Sequence, residues 1–172
     1  MQSRSPIEVR PADGRDDGVV ADLINAFIRD SHVHFGERPQ EVDEVRRERE
    51  AAEDPWLVAR VDGAFAGVAR AHPWRAREAY RHTREVAVYV DPEHLRRGVA
   101  RALYCALFDR LAGSGVHTLV AAIALPNAPS VALHHSVGFV EVGVFREVGW
   151  KHGVWRDVLF MQKPLAHGVP SA

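Results

Sequence analysis

The sequence predicts an α/β protein built on a mixed, mostly antiparallel sheet of about seven strands with about four helices, and three stretches carry that prediction. In "PWLVARVDGAFAGVARA" two short apolar runs flank Asp62-Gly63, the dipeptide of a tight hairpin turn, so two antiparallel strands are expected there. Upstream, Val19, Val20, Leu23, Ile24, Phe27 and Ile28 recur every three or four residues, the spacing of an amphipathic helix. Downstream, "VHTLVAAIAL" is apolar almost throughout, as a strand covered on both faces must be.

The remaining elements fall between these. "IEVRPA" alternates before its proline and reads as a short edge strand. "QEVDEVRREREAAE" is a charged helix with a thin apolar stripe at Val42 and Val45, its charges expected on a solvated face. A loop from His72 to Thr83 leads into "EVAVYV", a strand that carries Glu85, Ala87 and Tyr89 on one face and valines on the other. A helix from Gly98 to about Ala112 buries Leu103, Leu107 and Leu111 and stops near Gly113. "NAPSVALHHSV" is a short helix, and "FVEVGVF" and "WRDVLFMQK" are the last strands. One domain is expected over 1–172, with an ordered core of about 6–164 and a frayed tail from Leu165.

Composition narrows the function. With 22 Lys and Arg against 23 Asp and Glu the chain has no basic field of the kind that nucleic acid or an anionic membrane would need, so any anion recognition is local. No apolar run approaches the ~18 residues of a spanning helix. Cys105 is the only cysteine, which fits a reducing, cytoplasmic setting; its apolar neighbours in the helix predict a buried structural thiol. Ten histidines invite a metal, but His32, His34, His134 and His135 lack the partners of a tetrahedral site, so none is expected.

The local anion site is "LRRGVA". A strand that ends in a turn with glycine at the helix start leaves several backbone N–H groups unpaired, with the positive end of the helix dipole behind them. Gly98 and the small Ala100 allow close approach; Arg96, Arg97 and Arg101 can add charge-assisted contacts. The same residues would also make an ordinary helix start with solvated arginines. Neither G-x-x-x-x-G-K-[ST] nor G-x-G-x-x-G is present.

The strand, loop and helix around Leu95-Arg96-Arg97-Gly98-Val99-Ala100 resemble the cofactor loop of the GNAT superfamily of acetyl-CoA-dependent N-acetyltransferases, with leucine where the superfamily prefers Gln or Arg. "PWLVARVDG", "PWRAREAY", "VYVDPEHLRRG", "LPNAPSVALHHSVGF" and "GWKHGVWRDV", in that order, resemble the phosphinothricin N-acetyltransferase family from about Ile7 to Met161. The resemblance implies a sheet splayed between its fourth and fifth strands and acetyl-CoA as co-substrate. It implies that the backbone of Val88, Tyr89 and Val90 pairs with the pantetheine arm, that Arg96, Arg97, Gly98, Val99, Ala100 and Arg101 hold the pyrophosphate, and that Asn127 contacts the cofactor.

Acetylating an amine requires a neutral nitrogen. At pH 7, deprotonation costs about 1.4 kcal/mol for an α-amine with pKa near ~8 and about 4.6 kcal/mol for lysine near ~10.4. A positioned base is therefore needed. Glu85, on a strand face shared with Ala87 and Tyr89, is the candidate, and the family assigns the matching glutamate to that role; pairing with Arg84 or Arg81 at a strand end would instead make it structural. His134 stands where many GNAT enzymes carry a tyrosine near the thiolate; it could act as acid to sulfur, assist as base, or serve structurally. The backbone N–H near Val88 is the expected oxyanion donor.

The implied acceptor is a small amino-acid-like molecule: phosphinothricin, methionine sulfone or methionine sulfoximine. Arg75 and Arg77 with Trp74 and Tyr80 would supply cations and aromatic walls, or would form a surface loop with its aromatics packed below it, and Phe35 matches the family's substrate-side loop. Trp150, Lys151, His152 and Trp155 read as an exposed turn that in the family lines the acceptor mouth and joins a homodimer contact. The alternatives are another amine such as a peptide N-terminus, or a coenzyme A-binding protein without turnover, since a fold alone does not prove activity.

Overall fold

The computed structural model describes residues 6–165. Along the chain run β1 (Ile7–Pro11), α1 (Asp17–Asp30), α2 (Val42–Ala51), β2 (Leu57–Val61), β3 (Ala64–Pro73), β4 (Thr83–Val90), α3 (Val99–Leu111), β5 (Thr118–Ala124), α4 (Ala128–Ser136), β6 (Val140–Lys151) and β7 (Val154–Pro164). The strands form one sheet in the order β1-β2-β3-β4-β5-β7-β6. Every neighbouring pair is antiparallel except β4 and β5, which makes the sheet the mixed one the sequence predicts.

That one parallel pair is short. Thr83, Arg84 and Glu85 face Thr118, Leu119 and Val120, and there the ladder ends. β4 continues to Val90 against β3, and β5 continues to Ala124 against β7. The strands diverge just past Glu85.

Two cores cover the two faces. Val20, Ile24 and Ile28 of α1 and Val45 of α2 pack with Trp56, Val58 and Val68 on one side. Leu103, Leu107 and Leu111 of α3 pack with Val86, Leu119 and Phe139 on the other. Because opposed residues of antiparallel strands share a face, His72 with Glu85, Arg70 with Ala87, and Val68 with Tyr89 all belong to the α1–α2 side.

Four expectations need correction. The charged face of α2 is not wholly solvated: Arg49, with a side chain 15% exposed, donates two hydrogen bonds to the buried carboxylate of Asp17 at 2.6 and 3.0 Å, tying α2 to α1. Cys105 is exposed, because α3 turns its Leu103, Tyr104, Leu107 and Phe108 inward and leaves Cys105 outside that stripe. Lys151 is buried, with Nζ donating to the carbonyls of Ile28 and Gly36; the hairpin turn itself falls on His152-Gly153. Leu165 is not frayed, since its side chain is buried and its N–H donates to His117 O at 2.8 Å; the rest of the expected tail lies outside the described residues.

Candidate active site

Where β4 parts from β5 a cavity of about 740 Å³ opens between the strands, bounded by the start of α3, by α4 and by the segment between α1 and α2. Glu85, the last β4 residue still paired with β5, lines it. Among the described residues its carboxylate enters no ion pair. Arg84 is committed elsewhere, with Nε donating to Asp54 at 2.5 Å and Nη2 to Glu53 at 3.0 Å, and among the described residues neither it nor Arg81 pairs with Glu85.

At one end of the cavity lies the turn into α3. Arg96 (φ 60°) and Gly98 (φ 93°) adopt the left-handed region, bending the chain so that the first turn of α3 faces the opening. Ala102 is the first residue of the helix whose N–H reaches a carbonyl, that of Gly98 at 3.0 Å, which leaves the N–H groups of Val99, Ala100 and Arg101 as the orphan donors of the helix start. Arg96, Gly98, Val99, Ala100 and Arg101 line the cavity; Arg97 is exposed and does not. Leu95 is exposed at the same rim. Val88, Tyr89 and Val90 form the β4 wall, and their side of the strand beyond Glu85 has no β5 partner. Asn127 stands across the opening, its Oδ1 capping α4 by accepting from the Ser130 N–H at 3.2 Å. An anion at α3 with an extended chain along β4 fits this cradle.

His134 lies deeper in α4 and is buried. Its Nδ1 is 2.7 Å from the Ser130 carbonyl, which can only accept, so Nδ1 carries the proton of the neutral ring. Nε2 then accepts from the Tyr104 hydroxyl at 3.0 Å. Burial holds the His134 pKa below its usual value, only partly offset by the Ser130 carbonyl. Burial likewise pushes the Tyr104 hydroxyl well above the ordinary phenol range. Both residues line the cavity.

The opposite end belongs to the α1–α2 face. Phe35 and His34, from the segment that joins the two helices, reach the cavity. Phe35 lies against the backbone of Gly149, where a Cβ would overlap its ring. The Gly36 N–H donates to His34 Nδ1 at 2.9 Å, and burial, with the charges of Arg70 and Lys151 adding to it, lowers the His34 pKa. Arg70 and His72 of β3 complete this end, with Tyr89 between Phe27 and His34. Burial raises the Tyr89 pKa, and the charges of Arg70 and Glu85 both reach its hydroxyl.

Twelve of the expected site residues thus converge on one cavity, counting Glu85, His134, Phe35, the β4 triad, Asn127 and the α3 turn without Arg97. Trp74, Arg75, Arg77 and Tyr80 do not line it. The Arg75 guanidinium lies 4.9 Å from the Trp74 ring and Trp74 meets Tyr80 edge-on at 5.1 Å, so this loop packs on itself just beyond His72. Tyr104, His34, Arg70 and His72 line the cavity without having been expected there. For Arg70 and His72 the period of two along β3 held a signal, but using it required the β3–β4 register; for Tyr104 and His34 no local signal existed.

The chain resembles known proteins in both sequence and fold. A sequence profile described as the Acetyltransferase (GNAT) family matches residues 20–139. Phosphinothricin N-acetyltransferase of Streptomyces viridochromogenes is 44% identical over 169 residues, covering 97% of this chain and 92% of the relative. The L-methionine sulfoximine/L-methionine sulfone acetyltransferase of Salmonella typhimurium is 34% identical, covering 95% of this chain and 98% of the relative. Among solved structures, a GNAT superfamily phosphinothricin acetyltransferase from Sinorhizobium meliloti in complex with acetyl-CoA superposes with a TM-score of 0.89 at 30% identity, over 96% of this chain and 92% of that one.

Proposed function

Because this chain belongs to the GNAT family and is an acetyl-CoA-dependent N-acetyltransferase, we propose that it acetylates the α-amine of phosphinothricin or of an analogue of similar shape, methionine sulfone or methionine sulfoximine. The observation that carries the reading is Glu85: a carboxylate without an ion pair among the described residues, at the point where β4 and β5 part, in a cavity that leads to an anion cradle. The names of the relatives supply the acceptor class.

The residues present fit the co-substrate. Pyrophosphate would sit on the α3 N–H groups with Arg96 and Arg101 beside it and Arg97 at the outer rim, the pantetheine arm along Val88, Tyr89 and Val90, and Asn127 opposite. When bound, acetyl-CoA supplies an acyl group on a good leaving group. Glu85 takes the proton of the acceptor ammonium, directly or through water, so that the amine attacks neutral. The N–H near Val88 would receive the developing oxyanion, whose collapse would break the thioester C–S bond, and the proton that the newly acylated nitrogen sheds would pass to the departing thiolate. His134 assists through Tyr104: its Nε2 fixes the direction of the hydroxyl that stands nearest it in the cavity. Phe35 walls the acceptor, and the loop of Trp74, Arg75, Arg77 and Tyr80, which leaves the sheet beside Glu85, would reach it from the rim.

β6, the outer strand of the sheet, exposes Val140, Val142, Phe145, Val148 and Trp150 at 50% or more. An apolar edge of this kind calls for cover, and a second copy of the chain is the proposed partner, to be checked by light scattering. Among the described residues no helix is long and apolar enough to cross a membrane; cytoplasmic placement is inferred from the single cysteine.

The test of function is acetyl-CoA consumption by the purified protein with phosphinothricin, methionine sulfone, methionine sulfoximine, ordinary amino acids and a short peptide. We expect kcat/KM for the first three to exceed that for the peptide by about 100-fold or more. Equal or greater activity on the peptide would overturn the acceptor assignment.

A further inference from the structure

Arg70 has a setting that packing alone does not account for. It projects from β3 on the Glu85 side of the sheet, opposite Ala87, so the two charged residues are diagonal neighbours roughly 7 Å apart at Cβ. Its guanidinium lies over the Trp56 ring, 4.7 Å from the centroid, and the side chain is only 17% exposed. Stacking holds the planar fork in place without using its N–H groups. One of them, on Nη1, donates to Glu48 Oε2 at 3.0 Å; that carboxylate is 45% exposed. The Nε–H is buried and has no acceptor among the described residues. A buried N–H of a charged group without a partner is costly, and a swing of the guanidinium from Glu48 toward an anion in the cavity would satisfy it. Glu48 is also a replaceable partner, because water can take over a half-exposed carboxylate.

Resting on the acetyl-transfer reading above, we propose that Arg70 receives an oxyanion of the acceptor, its α-carboxylate or an acidic group of its side chain, while the amine faces Glu85. An amino acid carries an ammonium and an acid group a few bonds apart, and Glu85 and Arg70, diagonal neighbours on one sheet face, both line the cavity. The arginine fork can grip both oxygens of a carboxylate or phosphinate. Arg70 then does two things: it selects acidic acceptors, and it fixes the amine against the base. His34, neutral and with Nε2–H left as a donor once Nδ1 has taken the Gly36 N–H, stands beside the same anion. Glu48 is the internal competitor that holds the guanidinium until an acceptor arrives.

The test compares wild type, Arg70→Gln and Glu48→Gln, each checked for folding by circular dichroism, with phosphinothricin, methionine sulfone and the methyl ester of methionine sulfone. Arg70→Gln is expected to raise the acceptor KM about 10-fold or more wherever the recognised anion is present, with kcat within about 3-fold and the KM for acetyl-CoA unchanged. Loss confined to phosphinothricin assigns the side-chain acid; loss on phosphinothricin and the sulfone, but not the ester, assigns the α-carboxylate. Glu48→Gln, which removes the competitor, is expected to lower the same KM by about 3-fold, an effect in the opposite direction that a merely structural role for Arg70 would not give. Equal loss on all three compounds, or no change on any, overturns the proposal. Should the wild type acetylate none of them, the acceptor reading fails, and calorimetric titration of the coenzyme A complex with glutarate decides the role of Arg70: at least about 10-fold weaker binding in Arg70→Gln sustains it, and equal affinities overturn it.

Discussion

The Tyr104 hydroxyl donates to Nε2 of His134 across 3.0 Å, joining α3 to α4 beneath the point where the sheet opens. The Ser130 carbonyl claims the other ring nitrogen, so both polar atoms of a buried imidazole are satisfied. Tyr104→Phe would leave Nε2 buried without a donor. We expect a loss of about 1–3 kcal/mol in stability, read from urea unfolding, together with lower kcat. A Tyr104→Phe enzyme as stable and as fast as wild type would show that the hydroxyl neither supports His134 nor serves turnover.

Two histidines, His134 buried and His34 partly so, predict a pH dependence of stability. Burial lowers the folded pKa of His134, and burial with cationic neighbours does so for His34, so the unfolded chain, titrating near ~6.5, takes up protons first as pH falls. The stability held by the neutral rings is whole above ~6.5 and is lost as pH drops through the lower folded values, with a slope of up to about 1.4 kcal/mol per pH unit for each proton. The urea midpoint should decline between pH 7.5 and 5. His134→Gln should flatten that decline, and an unchanged slope in the variant would remove His134 from its cause.

Glu85→Gln keeps the size of the side chain and removes its basicity. Turnover should fall about 100-fold or more, with coenzyme A affinity by calorimetry unchanged, because the carboxylate lies at the strand divergence and the anion cradle at the other end of the cavity. Undiminished kcat at saturating acceptor would exclude Glu85 as the base.

Gly149 seats Phe35. A methyl group there would occupy the space of the ring, and since Phe35 is 38% exposed the ring can swing out toward water instead of forcing the strand apart. Gly149→Ala should therefore cost under about 1 kcal/mol in stability while raising the acceptor KM by about 10-fold and leaving the acetyl-CoA KM alone. A parallel rise in both KM values would mean that the change spreads beyond the acceptor wall.

Features written locally in the chain are legible without coordinates. Asp62-Gly63 announces the β2–β3 hairpin, the glycine in "LRRGVA" announces the turn into α3, and the alternation of "EVAVYV" puts Glu85 and Tyr89 on one face. What the sequence does not disclose depends on distant contacts. Tyr104 meets His134 thirty residues on; Arg49 becomes a buried partner only because Asp17 waits on α1; and Arg70 enters the cavity only through a register between β3 and β4 that no single strand encodes. Cys105 is exposed for a simpler reason: apolar neighbours in sequence are not neighbours in space on a helix, where a shift of two residues turns a side chain to the other side.

Lys151 gives the chain an order of completion. Its ammonium reaches back across more than a hundred residues to close on the carbonyls of Ile28 and Gly36, the two ends of the segment that carries His34 and Phe35. A chain emerging from the ribosome can close neither side of the cavity until the β6–β7 hairpin has followed, because β5 pairs with β4 over three residues and with β7 over seven. Truncations that stop short of Lys151 would thus lose both halves at once, since they remove β7 from beside β5 as well as the clasp on the segment that carries His34 and Phe35.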